Sequence, residues 1–92
     1  MNEPIYKRSQ STMFSEVGED VVALHVERGF CYGMENVTST VWKLLDRPQG
    51  LDSLCAELVD RFDVSPEACR SEVGRLLDQL RDEGLVDVIA QD

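Results

Sequence analysis

The hydrophobic period of this 92-residue chain changes once, at Asn36, and this change most strongly limits the folds open to it. Before Asn36 the apolar residues lie in short runs rich in β-branched side chains, which is typical of strands. After Asn36 they recur three or four positions apart, the spacing that places side chains on one face of a helix. The sequence therefore predicts an α+β domain whose strands precede its helices.

Three short antiparallel strands are predicted in the first third of the chain, at residues 12–17, 21–26 and 30–34. A polar Gly-Glu-Asp turn separates the first two strands. Gly29 ends a three-residue loop before the third strand, because such a loop needs a residue that adopts positive φ. The three strands form one sheet in chain order.

Three helices are predicted to follow. The first begins at Asn36, whose side-chain oxygen can cap the opening turn, and runs for about three turns. The second covers residues 51–62. Ser65 and Pro66 are typical N-cap and first-turn residues of the third helix, and Gly84 is a typical residue for its end. Leu85 and Val86 are then expected to fold back onto the core.

The expected architecture is a three-stranded antiparallel sheet followed by three helices, similar to a winged helix-turn-helix. No element is long enough to bury its apolar face alone, so one face of the sheet is expected to pack on the helices. Residues 1–11 are polar and without period, which indicates a flexible N-terminal arm. The folded domain is expected to cover residues 12–92.

The charge of the chain argues against nucleic acid and membranes as partners. Eighteen acidic residues against nine basic ones give a net charge of −9, which repels a phosphate backbone and an anionic membrane surface. The third helix, the candidate recognition helix of a winged helix, also carries more acidic than basic residues. Neither a secretory h-region nor a membrane-length apolar stretch is present in the sequence, so we expect a cytoplasmic protein.

The three cysteines indicate reduced thiols rather than a disulfide framework or a metal site. Cys31, Cys55 and Cys69 are odd in number and too far apart for a CxxC pair. Cys55 and Cys69 lie on apolar helix stripes, where a free cysteine behaves as a small hydrophobic residue. We expect no metal and no cofactor.

No catalytic set can be assembled from the sequence. His25 is the single histidine, and no serine or cysteine nucleophile stands at a recognisable motif distance from it. It is expected to be a partly exposed strand residue. Phosphate-binding glycine loops, zinc-protease motifs and calcium loops are missing from the sequence. The chain is therefore not expected to be an enzyme.

An interaction module is the remaining interpretation. In a simple meander the third strand has one side without a partner, and an unpaired edge is either covered or used. The apolar stripe of the third helix is wider than one short sheet needs. A free strand edge beside an apolar helix is the geometry of β-strand addition, in which an extended peptide joins the sheet.

Several segments resemble the PqqD-like family, the peptide recognition elements of ribosomally made and modified peptides. These segments are the hairpin stretch Gly-Phe-Cys-Tyr-Gly-Met-Glu-Asn-Val from Gly29, the Val-Trp-Lys-Leu-Leu stretch from Val41, the apolar positions between Leu54 and Phe62, and the end of the third helix with Glu-Gly-Leu-Val from Glu83. The resemblance covers roughly residues 12–88. The Tyr-Gly-Met-x-Asn-x-x-x-x-x-Trp pattern that starts at Tyr32 is most similar to stand-alone proteins of lasso peptide pathways.

This resemblance implies a non-catalytic protein that holds the leader of a precursor peptide as an added strand. The protein then presents the leader to a leader peptidase, which acts with a macrolactam-forming cyclase. Two alternatives stay open. One is PqqD proper, a peptide chaperone for a radical SAM enzyme in pyrroloquinoline quinone biosynthesis. The other is a winged-helix transcription factor.

The predicted peptide-binding residues lie on the third strand and on the third helix. Side chains alternate in a strand, so Met34 facing the core places Tyr32 on the core side at the open edge. Phe30 and Cys31 are expected to act mainly through backbone pairing. Glu72 and Gln79 flank Leu76 on the side assigned to the peptide. The full set is Phe30, Cys31, Tyr32, Gly33, Glu72, Val73, Leu76, Leu77, Gln79 and Leu80.

Overall fold

A computed structural model describes residues 4–89 of the chain. Six strands and three helices follow one another along this part of the chain. The strands are β1 (Ile5–Arg8), β2 (Thr12–Val17), β3 (Asp20–His25), β4 (Phe30–Met34), β5 (Gln49–Gly50) and β6 (Val86–Ile89). The helices are α1 (Asn36–Leu44), α2 (Leu51–Arg61) and α3 (Pro66–Asp82). The α+β class and the three helices are confirmed.

The predicted hairpin strands form one antiparallel sheet in the order β2-β3-β4. The β3–β4 register pairs Val21 with Met34 and Ala23 with Tyr32. Val21, Ala23 and Met34 are buried, so the face that carries them is the inner face. The connecting loop has four residues instead of three, since β3 ends at His25.

A second sheet was not predicted. Its order is β5-β1-β6, with β1 in the centre and antiparallel to both neighbours. The prediction of a flexible arm over residues 1–11 is wrong for Ile5–Arg8, while residues 1–3 lie outside the described part of the chain. Strand β1 forms because β6 pairs with it from the far end of the sequence. The winged helix-turn-helix description is not confirmed by this two-sheet architecture.

The three helices and the inner face of the β2-β3-β4 sheet contribute side chains to one core. Most core side chains come from the helices and their ends. They include Val41, Trp42, Leu45, Leu54, Leu58, Val73, Leu77 and Leu80.

Arg8 ties the second sheet to helix α1. Its guanidinium donates hydrogen bonds to the carbonyl oxygen of Trp42, from Nε at 3.1 Å and from a terminal nitrogen at 2.7 Å. The guanidinium carbon also lies 4.4 Å from the ring centre of Phe14. Burial lowers the pKa of Arg8 from its ordinary value, and nearby carboxylates oppose this shift. A half-buried cation thus adds hydrogen bonds to a carbonyl oxygen near the C-terminal end of α1, which also accepts a bond from the N–H of Leu45.

The N-terminal cap of α3 is the one that the sequence predicts, whereas the cap of α1 is not. Ser65 caps α3 as predicted, because its Oγ accepts a hydrogen bond from the backbone N–H of Ala68 at 3.2 Å. At α1 the cap position belongs to Glu35, which makes no side-chain cap bond. Asn36 has instead a positive φ of 55°. Asparagine tolerates this left-handed conformation better than most residues, which suits the sharp turn from β4 into α1.

The end of α3 depends on Gly84, which has a φ of +80°. The N–H of Leu85 bonds the carbonyl of Leu80, and the N–H of Gly84 bonds that of Arg81, as in a Schellman motif. A Cβ on Gly84 would lie 2.9 Å from Nε2 of His25. His25 is buried, contrary to the expectation of partial exposure, because α3 ends directly against it.

We predict that Gly84→Ala lowers the free energy of unfolding by about 2–4 kcal/mol. An alanine at this position must adopt a strained positive φ, and its Cβ must clash with the His25 imidazole. Gly18→Ala is the matched control, since Gly18 has a φ of +64° but a Cβ added to it would meet nothing within 4 Å. Urea denaturation of both variants measures the difference. Equal losses would show that the contact with His25 contributes nothing.

Candidate functional site

Strand β4 lies at an edge of its sheet. It pairs with β3 on one side, and among residues 4–89 no strand pairs with its other side. The unpaired edge exposes backbone N–H and C=O groups that can pair with a further strand. This is the free edge expected from the sequence.

The side chains of β4 alternate as predicted. Met34 is 3% exposed and faces the core. Phe30 and Tyr32 lie on the same inner side and are half-buried. Cys31 and Gly33 point to the outer face and are exposed. The inner side of the open edge is therefore aromatic.

Helix α3 presents only part of its predicted stripe beside β4. Val73, Leu77 and Leu80 are at most 2% exposed, so they are core residues rather than accessible peptide contacts in this state. The packing of α2 and the sheet covers more of the apolar arc than the sequence indicated. Leu76 is half-buried and remains accessible.

Glu72 and Gln79 lie on the same side of α3 as Leu76, because spacings of four and three residues share a helix face. Both are exposed. The amide nitrogen Nε2 of Gln79 donates a hydrogen bond to the Tyr32 hydroxyl at 3.1 Å. This bond shows that this side of the helix is turned toward β4.

We call the accessible strip between strand and helix the β4–α3 surface. It consists of Phe30, Tyr32, Glu72, Leu76 and Gln79. Of the ten predicted site residues, these five provide side chains to the strip. Cys31 and Gly33 contribute their backbone to its edge.

A second accessible surface, which we call the outer face, was missed in the sequence. It is the side of the β2-β3-β4 sheet turned away from the helices, and Met13 at 64% and Val22 at 41% exposure lie on it. A depression of about 270 Å³ there is lined by Met13, Phe14, Ser15, Val22 and Leu24. The sequence did contain a signal for this surface. Residues 21–24 of β3 are all apolar, and because side chains alternate along a strand, apolar side chains lie on both faces of the sheet.

Acidic side chains lie at one end of the outer face. A depression of about 290 Å³ has Asp20 and Glu35 in its lining, together with Val22 and Gly33. Val22 belongs to both depressions. The outer face is thus an apolar surface with an acidic rim.

The two helical cysteines are buried next to each other between α2 and α3. All three cysteines are free thiols, and Cys31 is exposed. Burial raises the pKa of Cys55 to about 11, helped by a hydrogen bond with Cys69. A thiol with so high a pKa is a poor nucleophile at neutral pH.

Within the described range, no group of three or more His, Cys, Asp and Glu side chains could hold a metal ion. In the same part of the chain, no helix combines the length and apolar character needed to cross a membrane.

Comparison with known proteins identifies a family and a related structure. Residues 20–86 match the family model described as Coenzyme PQQ synthesis protein D (PqqD). The structure titled "TbiB1 in Complex with the TbiA(beta) Leader Peptide" aligns with a TM-score of 0.81 and 21% identity. The alignment covers 88% of this chain and 94% of that one, so the two share a fold. Among curated proteins, none matches this chain in sequence.

We predict that iodoacetamide at pH 8 alkylates Cys31 first and Cys55 and Cys69 far more slowly. At that pH a thiol of pKa 11 is only about 0.1% thiolate, and burial also blocks access. Mass spectrometry of the native protein over time checks the order, and protein in urea, where all three thiols react, is the control. Equal rates for the three thiols in the native protein would contradict their placement.

Proposed function

This chain belongs to the PqqD family, and from that premise we propose that it is a non-catalytic protein that binds the leader of a ribosomally made precursor peptide. The leader joins the sheet as a new strand at β4. The observation that carries this proposal is the unpaired β4 edge beside the accessible stripe of α3. The shared fold with TbiB1, whose structure is titled as a leader peptide complex, supports it.

Backbone pairing supplies the sequence-independent part of binding. An added strand lies about 4.8 Å from β4 and bonds its free N–H and C=O groups. Alternate residues of the stretch from Phe30 to Gly33 offer these groups, because the backbone groups of the residues between them bond β3. Gly33 has no side chain to obstruct the approach of a leader strand. The space beside it is also open, because nothing lies within 4 Å of its Cβ position.

Side chains of the β4–α3 surface supply specificity. Every second leader residue points inward, where it meets the half-buried Phe30 and Tyr32 on one wall and Leu76 on the other. Glu72 and Gln79 flank Leu76, and Glu72 offers a carboxylate to polar leader groups. Val73, Leu77 and Leu80 support this wall from the core.

We assign the outer face to the enzyme that processes the bound leader, a leader peptidase that acts with a macrolactam-forming cyclase. The remaining leader side chains point to this face, so a bound leader and the sheet form one continuous surface. An exposed apolar area with a polar rim is typical of a protein interface. A second copy of the chain is disfavoured, because each copy carries a net charge of −9.

A lasso peptide pathway is the proposed setting, because the Tyr-Gly-Met-x-Asn pattern and Trp42 are most similar to the stand-alone proteins of such pathways. The alternative within the family is a chaperone for the radical SAM enzyme of pyrroloquinoline quinone biosynthesis. Titration against precursor leaders of both kinds separates the two. The three free thiols support a reducing, cytoplasmic location.

We predict that Leu76→Ala weakens binding of the leader encoded beside this gene by at least about fivefold. It also lowers the free energy of unfolding by about 1–2 kcal/mol, since Leu76 is half-buried. Glu72→Lys weakens binding by about two- to fivefold and leaves stability within about 0.5 kcal/mol. Calorimetric titration and thermal melting measure the two quantities separately.

Asp60→Lys is the control for charge, because it makes a similar change at an exposed position of α2 away from β4. Its leader affinity should equal that of the unchanged protein. If Glu72→Lys leaves affinity unaltered and Leu76→Ala lowers only the melting temperature, the leader does not bind at the β4–α3 surface.

We predict that Val22→Lys slows leader removal by the cognate peptidase at least about tenfold, because a charge in the centre of the apolar outer face blocks docking. Leader affinity should stay within about twofold. Val88→Lys is the control, since Val88 has a similar exposure of 38% but lies on β6 in the other sheet. Equal cleavage rates for both variants would refute docking at the outer face.

A further inference from the structure

The hydrogen bond between Gln79 and Tyr32 bridges the strand and the helix that border the proposed leader site. It joins two exposed side-chain groups at 3.1 Å. Farther along, Arg28 in the hairpin loop donates to the carbonyl oxygen of Asp82 at 3.4 Å. The free protein therefore holds β4 and the C-terminal half of α3 together by polar contacts.

This bridge occupies the passage that a leader strand needs. A strand paired with β4 lies beside it at about 4.8 Å, and its inward side chains extend toward α3. The phenol ring of Tyr32 extends from β4 in the same direction and reaches Gln79. An inward leader side chain at this position and the Tyr32–Gln79 bond compete for one space.

The bond is also weak enough to be displaced. Both partners are neutral and the bond between them is exposed, so water can replace either partner and the net contribution of the bond is small. The backbone bonds that a leader forms with β4 are several, and they outweigh one such contact. Until the leader arrives, the bridge limits access to the apolar wall at Leu76 and Phe30.

We propose that the Tyr32–Gln79 hydrogen bond is a latch that narrows the β4–α3 surface in the free protein and opens when the leader binds. The inference rests on the proposed leader binding at β4. Because opening the latch consumes part of the binding free energy, its presence lowers leader affinity. The two residues are positioning residues of the site, and the hydroxyl and the amide are not leader contacts.

The test compares Tyr32→Phe and Gln79→Met, which remove the bond and keep the size of each side chain. Both variants should bind the leader encoded beside this gene about two- to tenfold more tightly, with faster association. The double variant should gain no more than either single one, because all three lack the same bond. Tyr6→Phe is the control, since it removes a tyrosine hydroxyl from β1 and should leave affinity unchanged.

Weaker or unchanged binding in both single variants would overturn the latch, since the hydroxyl and amide would then contact the leader or be irrelevant to it. Chemical shifts of the Gln79 side-chain amide provide a second readout in the unchanged protein. They should move toward solvent-exposed values as leader is added, and constant shifts would also overturn the latch. If the unchanged protein does not bind leader at all, the proposed function itself fails.

Discussion

The close approach of the α3 terminus to strand β3 sets the position of everything around the candidate site. Gly84 has no side chain, and this lets the backbone lie against the His25 imidazole. The imidazole stacks on Phe30 with ring centres 5.6 Å apart, and its Nδ1 accepts a hydrogen bond from the N–H of Arg28. One contact thereby fixes the helix end, the hairpin loop and the first residue of β4 relative to one another. The width of the β4–α3 surface follows from it.

Two kinds of free surface result from the same three strands. At the β4 edge the unpaired groups are polar and directional, so they suit an extended backbone of almost any sequence. On the outer face the exposed groups are apolar, so they suit a preformed surface of matching shape. A leader strand added at β4 contributes side chains to both, and this links the two proposed binding events in space. The helices cover only the inner face, which leaves both surfaces accessible.

Local sequence signals predicted the elements whose contacts are local. The β2-β3-β4 hairpins follow from runs rich in β-branched residues and from turn residues, and Ser65 with Pro66 marks the start of α3 from neighbouring positions alone. Strand β1 was missed because Tyr6 pairs with Val88, a partner at the other end of the chain. At the candidate site, the open edge of β4 followed from strand order, whereas more of α3 was expected to be accessible than the structure shows. A helical pattern shows which residues share a face, but the burial of Leu77 next to the accessible Leu76 depends on how α2 and the sheet pack.

The large negative charge connects the fold to its proposed partners. An exposed apolar sheet face would drive copies of a neutral chain together, but a net charge of −9 on each copy opposes that contact. Asp20 and Glu35 place part of this charge at the rim of the outer face. A partner with an apolar centre and basic rim residues would satisfy both features, and a nucleic acid would satisfy neither. The negative charge that argues against a nucleic-acid partner thus favours a protein partner with basic residues around an apolar centre.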